Sequence, residues 1–352
     1  MKKLVAVEPR VAALVEYEDR PVQTNEVKIK VEFASPKHGT EVVDFRGLSP
    51  FIDEEFNEEW KMFMPREEGA ARGIVFGEFQ LGNMVVGSIC EIGDEVTEYK
   101  LGDQVCTYGP IMETVIVNAV DNYKLRKMPE GSSWKNAVYY DPAQFAMSGV
   151  RDANVRAGDY VVVVGLGAIG QIAIQLAKKA GASIVIGVDP ISHRCDIALK
   201  NGADYCFDPT TCDLGYEIKK ITNKLGADSI IETSGVSSAL QAALRGIAYG
   251  GTISYIAFAK PFPEGFNLGR EAHFSNAKIV FSRGSSEPNP DYPRWSRKRI
   301  ENTCWELLMN GYLNCEDLID PVVSFNEVAE SYMEFVDQKP ELSIKMGVQF
   351  NK

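Results

Sequence analysis

The sequence predicts an α/β protein: a doubly wound parallel sheet joined to a smaller domain built mainly of β-strands. Three observations carry this expectation. From about residue 158, short apolar runs alternate regularly with helical segments, the pattern of a parallel sheet covered on both faces. The first 150 residues instead hold a succession of short β-like runs punctuated by turn residues, as in a small barrel-like domain. Between a strand and a helix lies Gly165-Leu166-Gly167-Ala168-Ile169-Gly170, a glycine-rich junction. The chain has 352 residues, enough for two domains with proper cores.

Taken in order, the N-terminal run KLVAVE reads as a strand, because Glu8 and Arg10 interrupt any signal-type apolar core. EVKIKVEFA, NMVVGSICEIG, DQVCTYG and ETVIVN follow as further strands, separated by turn residues such as Pro21, Gly93–Asp94 and Gly102–Asp103. In the second part, strands are expected at YVVVVG, SIVIGVD, YCFD, SIIETSG, TISYIAF and KIVFS. Helices lie between them, including IGQIAIQLAKKAG, closed by Gly181, and SALQAALRGIAYG. Residues 160–178 lack charge up to the final lysine, yet Gly165, Gly167 and Gly170 divide them into strand, turn and helix rather than a membrane span. After about residue 286 the alternation stops. WSRKRIENTCWELLMNG and FNEVAESYMEFVDQ read as amphipathic helices and SIKMGVQF as a closing strand placed back against the first domain.

A net charge of −12 without a Lys/Arg cluster argues against nucleic-acid binding. Seven cysteines without a C-x-x-C pair predict reduced thiols and a cytoplasmic protein.

The glycine triplet has a physical logic. The first Gly permits a tight turn, the second allows a pyrophosphate to approach, and the third lets helix and strand pack closely, while the helix N-terminus presents N–H donors. Asp189 ends the next strand, at the offset expected of a carboxylate that binds both ribose hydroxyls. It would repel a 2′-phosphate, so NAD is expected over NADP, with His193 and Arg194 nearby as the groups to receive such a phosphate.

With GSICEIGDEVTEYKLGDQV, VRAGDYVVVVGLGAIGQIAIQLAKKAGA and SIKMGVQF in this order, the chain resembles the medium-chain dehydrogenase/reductase (alcohol dehydrogenase-like) superfamily over nearly its full length. HGTE and PRWSRKRIENTCWELLMNG resemble the branch that includes bacteriochlorophyllide and sugar- or polyol-type dehydrogenases. The resemblance implies a Rossmann cofactor domain at 149–286 inserted into a GroES-like catalytic domain made of 1–148 and 287–352. By family position it also implies that Thr233, Gly235, Ile256 and Ala257 face the nicotinamide half, that Lys345 lies near the pyrophosphate, and that the protein is a homodimer or homotetramer acting on a small molecule.

The stretch ASPKHGTEVVDFRG departs from the zinc-dependent members. They hold their metal with a Cys before a Gly-Thr/Ser-Asp-like run, with the His and sometimes Glu of a GHE motif, and with a later acidic or Cys residue. Here His38 replaces the Cys, Gly82-Asn83-Met84 falls where GHE should be, and Asp141 matches the later acid. Asn83 and Met84 are poor zinc ligands. A zinc site, if any, would rest on His38 and Asp141, with Glu41 or Glu113 as further acids; the expectation is a metal-free centre. His38, with an ordinary pKa of ~6.5, is then expected to donate to the developing alkoxide and carry the proton. Thr40 matches the proton-relay hydroxyl, Asp141 would orient His38, and Lys37 is the reserve acid.

Residues 48–80 read either as an amphipathic helix packed on the surface or as a lid over a polar substrate, with Phe51, Phe56, Trp60 and Phe63 set among acids. The function expected is NAD-dependent interconversion of a secondary alcohol and a ketone on a sugar, polyol or cyclitol-like substrate. A zinc-free quinone or enoyl reductase and a non-catalytic NAD-binding protein are the alternatives.

Overall fold

The computed structural model describes residues 1–67, 73–258, 261–284, 287 and 289–350. The chain forms two compact units: Met1–Val138 with Ile319–Lys352, and Tyr139–Leu318. Relative to the expected boundaries, the helices Tyr140–Asp152 and Arg297–Met309 fall with the second unit. Residue 286, at the expected boundary, and residues 68–72 of the 48–80 segment lie outside the described residues.

The second unit is built on a six-stranded parallel sheet. Numbered along the chain, its strands are Tyr160–Val164, Ile184–Val188, Tyr205–Phe207, Ala227–Glu232, Ile247–Tyr255 and Lys278–Phe281, and their spatial order is 3-2-1-4-5-6. That order places a topological switch point between the first and fourth strands, where open α/β sheets bind ligands. β-branched runs such as Val161 to Val164 are fully buried because helices cover both faces. The helix expected over SALQAALRGIAYG stops at Leu244; Gly246 packs against Ile218, and Ile247 already begins the fifth strand. Arg297–Met309 packs on Tyr140–Asp152 through Glu301, which is fully buried and accepts from Tyr140 Oη and Arg297 Nε, both at 2.7 Å.

The first unit is a seven-stranded sheet whose long strand Glu26–Ser35 pairs with Met84–Ile92, Thr114–Asn118 and Lys345–Gln349. The last of these also pairs in parallel with Ile319–Ser324, so both chain ends build one sheet. Leu4, Val31, Phe45, Leu81, Tyr332 and Met346 share its core. Asp337 is 3% exposed and is clamped by Arg10 and Arg46. Burial opposes ionisation of Asp337, but the two guanidinium partners outweigh it and lower its pKa.

Part of 48–80 corrects the helical reading. Pro50–Ile52 is a single 3₁₀ turn capped by Ser49, followed by an antiparallel hairpin of Glu54–Asn57 and Met62–Pro65. Asn57 Oδ1 accepts from Glu59 N and Trp60 N, and Lys61 takes φ +53, so the tip closes as a turn. Phe63 packs on both Phe51 and Phe56 at 5.4 Å, an arrangement that a hairpin provides.

Candidate active site and cofactor cradle

The cradle grows from the first strand of the parallel sheet. Gly165 turns the chain with φ +86, a conformation that excludes most side chains. Gly167 caps the helix Ala168–Lys179 with no side-chain bond, and a Cβ placed on it would meet nothing within 4 Å. The N–H groups of that helix, through Ala168 and Ile169, therefore open onto space that suits an anionic pyrophosphate. A Cβ on Gly170 would lie 1.9 Å from the Gly165 carbonyl oxygen, so only glycine allows this helix to sit so near the turn.

Asp189 is 5% exposed. Its Oδ2 accepts from Leu166 N at 2.8 Å and its Oδ1 from Ile191 N at 3.0 Å, while Arg194 Nη1 lies 3.7 Å from Oδ2. The carboxylate thus joins the glycine turn to the loop after the second strand. Thr233 Oγ1 donates to the carbonyls of Val164 and Gly165 at 3.1 and 2.9 Å, which brings the end of the fourth strand to the same turn. Gly235, at φ +64, donates to the Glu232 carboxylate, and Ile256 N donates to Glu232 O at 2.9 Å, with Ala257 following against the core.

Two residues here escaped the sequence reading. Gln171 is fully buried, and its Nε2 donates to Arg194 O at 2.8 Å and Leu166 O at 3.2 Å, bracing both sides of the cradle. Two amides one turn apart, Gln171 and Gln175, in an otherwise apolar helix were the available signal. Glu232 is fully buried at a strand end and gathers Ser234 N and Gly235 N.

In the first unit, His38 lies in the loop after Glu26–Ser35, and its Nε2 accepts from Met346 N at 2.9 Å. Lys345 is 1% exposed and donates to the Pro36 carbonyl, which anchors the same loop to the closing strand. Thr40 opens the short helix Thr40–Phe45. Glu41, next along, accepts from Gly82 N at 2.7 Å and Tyr332 Oη at 2.8 Å. Burial raises its carboxyl to about 6, against the opposing pull of those donors, of the Lys345 charge and of the Lys37 N–H. Burial, with the Glu41 charge added, holds the Tyr332 phenol well above its ordinary value. Gly82 takes φ +126, and a Cβ there would lie 2.4 Å from Ile111 N, so the turn before Asn83 requires glycine.

His38, Thr40 and Lys345 therefore belong to one unit, and Asp141 and the glycine cradle to the other. Asp141 sits in the first turn of Tyr140–Asp152, 3% exposed, with Oδ1 accepting from Gln144 Nε2 at 3.1 Å. The donor set does not fit a tetrahedral zinc. Among the described residues no three His, Cys, Asp or Glu side chains gather as ligands, Glu41 serves Gly82 and Tyr332, and Glu113 takes the Lys2 N–H. The cysteines correct one expectation: Cys195 and Cys206 are joined in a disulfide, and the other five are thiols. Strand pairing brings Cys206 beside Gly187, which the absence of a C-x-x-C motif did not reveal. No described helix is long and apolar enough to cross a membrane.

Residues 168–300 match the family model described as zinc-binding dehydrogenase. Over 350 residues, 99% of this chain and 100% of the relative, the chain is 77% identical to D-guloside 3-dehydrogenase of Escherichia coli (strain K12). The chain belongs to the medium-chain dehydrogenase/reductase superfamily of alcohol dehydrogenase-like oxidoreductases, enzymes that work with a nicotinamide cofactor. Among more distant relatives, it is 28% identical over 211 residues to sorbitol dehydrogenase of Bacillus subtilis (strain 168), covering 52% of this chain and 60% of that one. Its fold matches 2R,3R-butanediol dehydrogenase from Bacillus subtilis with a TM-score of 0.77 at 20% identity over 99% of both chains.

Proposed function

We propose that this enzyme is an NAD-dependent dehydrogenase that oxidises the secondary hydroxyl at C3 of a D-guloside to a ketone. The observation that carries the proposal is the 77% identity with D-guloside 3-dehydrogenase over essentially the whole of both chains. The cradle geometry supports NAD: the buried Asp189 carboxylate, just after the second strand, would accept from a ribose 2′-hydroxyl, and a 2′-phosphate would meet its charge.

NAD, when bound, accepts the hydride. The chain's own part is to orient the sugar and move one proton. Because His38 Nε2 accepts from Met346 N–H, a neutral His38 carries its proton on Nδ1. In the oxidative direction that N–H donates to the developing alkoxide, and the hydroxyl proton itself passes to Thr40 Oγ1, which releases its own towards the cofactor ribose. Thr40 stands two residues on as the relay hydroxyl. The residue types at the family's ligand positions, with Asn83 and Met84 where GHE should be, argue for this protein-only route. Self-association is supported by the outer strand Lys278–Phe281, whose Phe281 is 73% exposed, and by Phe274, which is 81% exposed.

Purified protein should form NADH with an alkyl D-guloside, and NMR of the product should place the new carbonyl at C3. NADH formation from sorbitol or another free polyol but from no guloside would overturn the substrate; faster turnover with NADP would overturn the cofactor.

A further inference from the structure

The cofactor cradle contains chemistry that hydride transfer does not use. We propose that Cys195–Cys206 is a thiol–disulfide exchange site that sets the enzyme's affinity for the adenosine half of its dinucleotide. The proposal rests on Asp189 as the ribose acceptor.

The two residues are 11 positions apart, with Cα atoms 5.6 Å apart, and the bond ties the start of the helix Ser192–Lys200 to the outer strand Tyr205–Phe207. Both partners touch the segment that places Asp189. Cys195 Sγ lies 3.6 Å from the Asp189 carbonyl oxygen. Cys206 pairs with Gly187, two residues before Asp189, so closely that a Cβ on Gly187 would sit 3.3 Å from its sulfur. Arg194, the neighbour of Cys195, faces the Asp189 carboxylate at 3.7 Å.

The helix that begins here has no side-chain cap on its first N–H groups, although Gln171 holds the Arg194 carbonyl and Asp189 the Ile191 N–H. Ile191 occupies the capping position and offers no side-chain bond. Where Ser, Thr, Asp or Asn would hold the first N–H groups, this chain has a covalent link to the next strand. Both cysteines are half-buried, within reach of a small thiol, whereas Cys106, Cys304 and Cys315 are buried.

The exchange balances with a low-molecular-weight thiol such as glutathione. Its thiolate attacks one protein sulfur and displaces the other, which leaves as a thiolate and takes a proton; a second thiol then attacks the mixed disulfide. Two protein thiols and one small-molecule disulfide result, and the reverse sequence closes the bond. Opening it releases the helix start from the outer strand and loosens the Asp189–Arg194 segment. Ordering that segment is then charged to cofactor binding, and affinity falls.

Titrations of NADH and of AMP into protein oxidised with glutathione disulfide, protein reduced with dithiothreitol, and the Cys195→Ser/Cys206→Ser double variant test this. The oxidised protein should bind both ligands about three- to tenfold more tightly than the reduced protein. The double variant should match the reduced protein and ignore reductant. Equal affinity in both states, a redox response that persists in the double variant, or alkylation of both Cys195 and Cys206 after oxidation would each overturn the proposal. An Asp189→Gly protein that keeps wild-type NADH affinity would instead overturn the ribose assignment beneath it, so the two failures are distinguishable.

Discussion

Glu41→Gln removes an ionisable group from the interior of the first unit while keeping its shape. In the folded chain burial raises this carboxyl from 4.5 to about 6, although Gly82 N–H, Tyr332 Oη, the Lys345 charge and Lys37 N–H all favour the ionised form. The difference corresponds to about 2 kcal/mol against the carboxylate relative to the acid. Since the folded value lies above the unfolded one, the folded chain binds more protons between them. The stability contributed by Glu41 is therefore complete below about pH 4.5 and is lost as pH rises through about 6. The variant lacks this dependence. Urea unfolding of both proteins from pH 4.5 to 7.5, followed by circular dichroism, isolates it, because other titrating groups are common to both. Wild-type stability minus variant stability should fall by about 2 kcal/mol across that range. A difference that stays flat or rises with pH would refute the reasoning.

His38→Ala should lower kcat about 10²- to 10⁴-fold, the usual worth of general acid–base catalysis, while NADH affinity from direct titration stays unchanged. An active variant with a lowered melting temperature would show a packing residue instead. Asp189→Gly should weaken NAD binding by about 1.5–3 kcal/mol and relax discrimination against NADP, checked by titrating both cofactors. Dialysis against a chelator should leave turnover intact, and metal analysis should find well under one zinc per chain; stoichiometric zinc whose removal abolishes activity would overturn the metal-free reading.

The parts of this structure that follow local rules were legible in the residues. The parallel strands announce themselves because each is a short run of β-branched or aromatic residues bounded by turns, and the glycine triplet because three different steric demands fall at fixed spacing. The place of Asp189 just after the second strand was legible for the same reason: its distance from Gly170 is set by one helix and one strand. What remained hidden depends on pairs of segments far apart in sequence. Nothing near Glu41 says that Gly82 and Tyr332 will be its partners, or that His38 will take a backbone N–H from Met346, because a closing strand some 300 residues later supplies it. Cys195 and Cys206 stayed silent until strand pairing set Cys206 beside Gly187. The hairpin at 54–65 was misread because its acids and aromatics also satisfy a helical face, and the Asn57 side chain that closes its tip decides the matter.

The sheet of the first unit takes a central strand from the last residues of the chain, and this orders events during synthesis. All of Tyr139–Leu318 is synthesised before Lys345–Gln349 is made. The dinucleotide unit is therefore complete in sequence, and able to fold, while Glu26–Ser35 still lacks one of its neighbours and the Arg10 and Arg46 side chains still wait for Asp337. Throughout that interval the Phe33–Ala34 end of that strand, beyond its pairing with Thr114–Asn118, is an open template for any passing strand. The cofactor cradle matures first, and the loop that carries His38 receives its anchors, Lys345 and Met346, only when the last residues emerge.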